Sequence, residues 1–204
     1  LNNTIINTDY KAYFGRADLK FHYIHVADSG YRIDPSASNI IDTYILSKSY
    51  DIQVKQYIAG TNLVKPNPPS NDELFRSYGG EINKIKSISD EIIYHPAKYK
   101  ILFGDKATAD LQVKFKIVKN TSMVINDNEL KSEIVEAINK FFDIENWDFG
   151  ETFYFQELSA YIINQLSPKL VSILIVPRQT TQSFGSLFEI KSEPDEIFAS
   201  AAKV

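Results

Sequence analysis

Residues 126–141 read NDNELKSEIVEAINKF, and the spacing of their apolar positions decides how the half of the chain around them folds. Leu130, Ile134, Ala137, Ile138 and Phe141 recur at intervals of four, three, one and three, which draws one apolar stripe along a helix. Asn126 stands where a cap is needed, with Glu129 three residues on as its reciprocal partner. A helix with one stripe must bury it against another element. Phe155, Leu158, Ile162 and Leu166 supply a second stripe over 155–166, which has to end before Pro168. The run Leu170-Val171-Ser172-Ile173-Leu174-Ile175-Val176 follows at once, strand-length and apolar enough to be expected buried.

Between the helices lies WDFGETFYF, residues 147–155, with the chain's one tryptophan and four further aromatics. Gly150 permits a turn there, and Trp147 and Phe149 are expected to fold back under the helix pair and close its core. Upstream, Ile92-Ile93-Tyr94, residues 98–103 and residues 111–118 read as strands, with a turn at Gly104-Asp105. Downstream, Leu187-Phe188-Glu189-Ile190 reads as a strand, and 196–200 fits either element type. Strands, two helices, then strands give an α+β order, with the two helices packed on a mostly antiparallel sheet.

A smaller α/β region precedes this half. Residues 19–26 alternate as a strand, Asp28-Ser29-Gly30 reads as a turn, and the more continuously apolar 40–46 reads as a second strand. Ser47 is a candidate cap for a helix whose apolar face is Ile52, Val54 and Tyr57 and which Gly60 stops. Three prolines within Lys65–Asn71 forbid both helix and ladder pairing. After them, Leu74, Phe75, Tyr78, Ile82, Ile85 and Ile88 stand at helical spacing, with Gly79-Gly80 expected to mark a bend between two shorter helices. The expected division is a small α/β region at 1–65, a Pro-rich linker with connecting helices at 66–90, and an α+β domain at 91–204.

Composition narrows the function classes. With 204 residues, 44% of them hydrophobic and 24% charged, the chain can bury a sizeable core. A net charge of −4 gives no global attraction to phosphate, so neither nucleic acid nor an anionic membrane is the expected partner. The absence of cysteine removes disulfides, thiolate metal sites and cysteine nucleophiles. No apolar run reaches the roughly 18 residues that span a bilayer. Because the chain opens at Leu1 rather than at methionine, it is expected to be a piece of a longer polypeptide.

Clusters of reactive side chains lack the spacing that chemistry needs. His22 and His25 lie an odd number of residues apart on an expected strand, so they face opposite sides and do not converge on one ion. His95 precedes Pro96 without a neighbouring nucleophile pattern. Gly104-Asp105-Lys106-Ala107-Thr108 lacks the glycine spacing and the Gly-Lys-Ser/Thr core of a phosphate loop. Glu193, Asp195 and Glu196, and likewise Asp143, Glu145, Asp148 and Glu151, read as solvated acids on irregular connections. No catalytic, cofactor-binding or metal-ligating residue is assigned, and no cofactor is expected. Aromatic candidates for partner contact are Tyr10, Tyr13 and Phe14 near the start, and Phe184, Leu187 and Phe188 near the end.

The order of motifs carries a family resemblance. Glu133 to Phe142 with its Ala137-Ile138 pair, Trp147-Asp148-Phe149-Gly150-Glu151, Phe155-Gln156-Glu157-Leu158 and the strand from Pro168 to Val176 resemble, in that order, the baseplate J-like proteins of contractile-tailed phages. Phe184 to Ile190 and Asp195 to Ala201 are similar to the carboxyl-terminal end of the wedge members in T-even-like phages. The resemblance covers 91–204 and, more faintly, the unit from Ile40 to Tyr57. It implies a structural virion protein of the tail baseplate, not an enzyme, made in the host cytoplasm during assembly. It further implies homodimers that join wedges into a ring around the hub and bind other wedge subunits. The alternative is a carbohydrate- or host-binding tail or adhesin module, suggested by the aromatic content of 13%.

Overall fold

The computed structural model describes residues 6–8, 19–25, 40–83, 91–124, 126–179 and 188–203, with backbone only at 6–8, 19–25, 40, 41, 81, 82, 91 and 92. The fold is mixed α+β. Contacts divide the chain into two compact units, Leu1–Lys98 and Tyr99–Val204.

In the first unit β1 (Ile6–Thr8), β2 (Leu19–His25), β3 (Ile40–Ser47) and β4 (Glu91–Pro96) form one sheet in that order. The first two pairings are antiparallel, and β3 with β4 is parallel. A parallel pair needs a long crossover. Here it runs through α1 (Lys48–Ala59), the proline loop and α2 (Asn71–Ile82). Ser47 caps α1 by accepting the Tyr50 amide at 3.4 Å, and Gly60 closes it in the left-handed region at φ 88°. The face α1 buries carries Tyr50, Asp51 and Val54, whereas Ile52 is 45% exposed, so the expected stripe is rotated. The register of the parallel pair sets Tyr94 beside Thr43, and Tyr94 meets Phe75 of α2 edge-on at 5.9 Å. The helices therefore cover the face holding Thr43, Ile45 and Tyr94, and alternation turns Asp42, Tyr44 and His95 to the other face.

Helix α2 is not divided into two helices at Gly79-Gly80, contrary to expectation, but runs unbroken to Ile82. Glycine lowers helix propensity without altering helical geometry. A Cβ at Gly79 would come within 3.1 Å of the Phe75 ring, so this position favours the smallest residue. Its N-terminus is a capping box that the sequence reading passed over. Glu73 accepts the Ser70 amide at 2.8 Å, and Ser70 Oγ accepts the Glu73 amide at 3.3 Å. Because β4 pairs with β3, it belongs to the first unit, so the structural division falls at 98/99 where the sequence reading placed it at 91.

The second unit contains β5 (Lys98–Leu102), β6 (Val113–Lys119), α3 (Asp127–Phe141), β7 (Thr152–Tyr154), α4 (Phe155–Leu166), β8 (Leu170–Pro177), β9 (Glu189–Lys191) and β10 (Glu196–Ser200). Its strands form three two-stranded sheets, β5 with β10, β6 with β8 and β7 with β9, rather than one continuous sheet. Asn126 caps α3 by accepting the Asn128 amide at 3.0 Å. The α3 stripe is buried at Leu130, Ile134, Ala137 and Ile138, and α4 buries Phe155, Leu158 and Ile162.

The link between them folds as expected, with Trp147 8% and Phe149 7% exposed. Trp147 stacks on Phe142 at 5.5 Å and 14°, and meets Phe198 edge-on at 5.0 Å. It also finishes α3. Its Nε1–H donates to the Phe141 carbonyl at 2.8 Å, and Asn146 Nδ2 donates to the Lys140 carbonyl at 2.8 Å. Side chains of the link thus satisfy carbonyls that a helix end leaves without partners. Gly150, at φ 74°, sends its amide to the Glu196 carbonyl at 3.1 Å, while Ser192 donates to the Glu151 carbonyl from both its amide and its hydroxyl.

Phe103, 1% exposed, sits at the centre of this core with Phe115, Phe142 and Phe153 edge-on at 5.4, 5.6 and 6.0 Å. Its φ of 75° is unusual for a bulky side chain, and such a conformation persists only where the surroundings enforce it. The next residue shows one source of that constraint. A Cβ on Gly104 would stand 1.8 Å from the Ala201 carbonyl oxygen, and the Ala201 amide donates to the Leu102 carbonyl at 2.9 Å.

Two substitutions test this core by urea unfolding. Trp147→Ala is expected to cost about 3–5 kcal/mol, the range for deleting a large buried aromatic. Gly104→Ala is expected to cost at least about 1–3 kcal/mol, since backbone on both sides must move. Unchanged midpoints would show that the corner does not hold the unit together.

Candidate interaction surfaces

The antiparallel pair of β6 and β8 has two unlike faces. On β6 the alternation is regular, with Phe115 and Ile117 half-buried and Lys114, Lys116 and Val118 exposed. On β8 it is not. Leu170, Ile173 and Ile175 are buried, but Val171 and Leu174 are 59% and 57% exposed, so the strand expected to be buried is only half so. The register shifts opposite Val118 and Lys119, and this bulge leaves Val171 and Ser172 both outside while Leu170 and Ile173 both point inward. In register, Lys116 lies across from Leu174, and Val118 across from Ser172.

The result is an apolar strip of Val118, Val171 and Leu174 with Lys114 and Lys116 beside it. Other cations nearby are matched: Lys119 pairs with Asp127, Lys169 with Glu133, Arg178 with Asp105. Lys114 and Lys116 meet no carboxylate among the described residues. Exposed apolar surface rimmed by charge is what a partner contact requires. In the first unit, the loop after α1 likewise exposes Leu63 and Val64, at 83% and 73%.

The histidines and acids lie elsewhere. His22 and His25 lie on β2, in register with Tyr44 and Ile41 of β3. The same register puts His22 in a row with Tyr44 and His95 across three strands. His95 Nε2 stands 2.8 Å from Asp42 Oδ1, and its ring stacks on Tyr44 at 5.0 Å. Sequence reading missed this pair because its members are 53 residues apart and meet only through parallel pairing. An imidazole held by a carboxylate is the base half of a hydrolytic triad, yet the positions beside His95 in the ladder are Tyr44 and not serine or cysteine.

The acids act as local fasteners. Glu151 Oε2 accepts the Asp148 amide at 2.9 Å, and Asp143 Oδ1 accepts the Glu145 amide at 3.4 Å. Glu196 accepts Lys100 Nζ and the Glu193 amide, both at 3.0 Å. Among the described residues no three histidine or acidic side chains converge as metal ligands, and no helix is long and apolar enough to cross a membrane. Gly104 to Thr108 is a turn closed by the Ala107 amide on the Gly104 carbonyl. Of the aromatic contact candidates, Phe188 is 51% exposed, while Tyr10, Tyr13, Phe14, Phe184 and Leu187 lie outside the described residues.

No family model matches the sequence, and no curated protein matches it.

Asp105 and Asp127 sit below the ordinary aspartate value of 3.8, first because Arg178 and Lys119 donate hydrogen bonds to them, and then through the charges of the same residues. A pKa lowered on folding stabilises above the unfolded value and ceases to do so as pH falls through the folded one. The gap in melting temperature between the wild type and an Asp105→Asn, Asp127→Asn variant is therefore expected near pH 6 and should narrow as pH falls below the ordinary aspartate value of 3.8. A gap independent of pH would refute this assignment.

Proposed function

We propose that the chain is the C-terminal part of a baseplate wedge subunit of T-even-like contractile-tailed phages, in the baseplate J-like family. On this reading it is a structural virion protein and not an enzyme. It dimerises, links wedges into a ring around the hub, binds other wedge subunits, and resides in the tail baseplate after assembly in the host cytoplasm.

The ordered resemblance from Glu133 to Ala201 suggests the family. The observation that carries the assembly role is the outer face of β6 and β8, where three exposed apolar side chains lie beside two lysines that meet no carboxylate among the described residues. The expected occupant of this face is a second copy, because a chain of net charge −4 offers acidic surface to a basic strip. Contact between unlike patches on successive copies is heterologous, and heterologous contacts that close generate rings.

Light scattering is expected to show a dimer or larger species that weakens as salt rises. Val118→Lys with Leu174→Lys should shift it to monomer while leaving the melting temperature within about 1–2 °C, since exposed substitutions change stability little. A strict monomer at high concentration would refute assembly through this face. Labelled virions in negative stain should carry the protein at the tail end, and label found elsewhere would refute the virion assignment.

A further inference from the structure

In the first unit, the start of α1, the proline loop and α2 enclose an open cleft of about 470 Å³, inside the range of roughly 300–1,000 Å³ typical of small-molecule sites. Its wall is polar, with one carboxylate and no cation, over an apolar base. Gln53, Asn67 and Ser77 line it with side chains that make no hydrogen bond among the described residues, and Tyr78, Pro68 and Pro69 line it with half-buried apolar surface.

The lining excludes ligand classes one by one. It contains no lysine, arginine or histidine, so nothing there neutralises a phosphate, sulfate or carboxylate. Its single glutamate, Glu73, is committed to the α2 cap through the Ser70 amide at 2.8 Å and hydroxyl at 3.1 Å. The same hydrogen bonds hold the Glu73 carboxyl below its usual range, so it stays charged and repels anions. One engaged carboxylate is also too little to hold a divalent cation, which takes six to eight oxygens or keeps much of its water.

Carboxamides and a hydroxyl, each able to donate and accept, match vicinal hydroxyl groups, while a tyrosine and two prolines match the C–H face of a pyranose ring. We infer that this cleft binds a neutral saccharide of one or two rings, held by Gln53, Asn67 and Ser77 and stacked on the Tyr78 and proline surface. This site is separate from the β6/β8 face and does not depend on the assembly role.

The test is saturation-transfer NMR and calorimetry on the intact chain with neutral hexoses, N-acetylhexosamines and their disaccharides, beside a sialylated sugar and inorganic phosphate. At least one neutral sugar is expected to bind with a Kd near the millimolar range, with the two anions at least tenfold weaker. Gln53→Ala and Asn67→Ala should each weaken that sugar about 3–10-fold, the effect of losing one hydrogen bond. Both residues are exposed, so melting temperatures should be unchanged and loss of binding will not reflect unfolding. No transfer from any neutral sugar at tens of millimolar, anions binding as well as neutral sugars, or variants that bind like the wild type would each overturn the inference.

Discussion

The second unit depends on the contact between Trp147, Phe142, Phe153 and Phe198, four rings drawn from four segments of the chain. Trp147 stacks on Phe142, Phe142 meets Phe153 at 5.1 Å, and Phe198 closes on Trp147. Each ring contributes roughly 1.5–3 kcal/mol of burial, and each edge-on or stacked pair adds about 0.5–1.5 kcal/mol. Only the tryptophan also does polar work, because its N–H completes the end of α3. Three short sheets can coexist around this cluster because the rings, and not a continuous ladder, join them. The left-handed backbone of Phe103 is tolerated for the same reason: its ring is gripped by Phe115, Phe142 and Phe153.

A rigid core of this kind leaves the outer face of β6 and β8 free to be apolar. In an ordinary two-layer arrangement the solvent face of a sheet is polar. Here the bulge at Val171 sends an extra valine outward, and Leu174 follows two residues past Ser172. Alternation alone turns Leu174 outward, and the bulge adds Val171 there while Leu170 turns inward, so the strand shows apolar side chains on both sides. This feature and the lysines beside it are what the assembly reading draws on.

Much of the fold was legible where the signal is local. The stripe of Leu130, Ile134 and Ile138, the Asn126 and Ser47 caps, Gly60 and the turn at Gly150 follow from spacing and backbone freedom alone. Misreadings arose where tertiary contacts decide. Gly79-Gly80 looked like a break, but α2 runs through it. Residues 170–176 read as buried because apolar composition does not reveal which side chains the pairing turns outward. Ile52 was placed inward, yet Asp51 takes the inward position instead. Asp42 and His95 could not be paired in advance because their meeting depends on a parallel crossover. That Lys114 and Lys116 meet no carboxylate among the described residues, while Lys119 of the same strand pairs with Asp127, is visible only in three dimensions.

The pairing of β5 with β10 has a further consequence. Lys100 reaches Glu196 across 96 residues, and Leu102 receives the amide of Ala201. Contacts so far apart in sequence require closure of a long loop before they return any energy, which slows folding. During translation α3 and α4 can form early, but Gly150 and Glu151 lack their partners at Glu196 and Ser192 until those residues leave the ribosome. The unit therefore completes its native core only once those late contacts have closed.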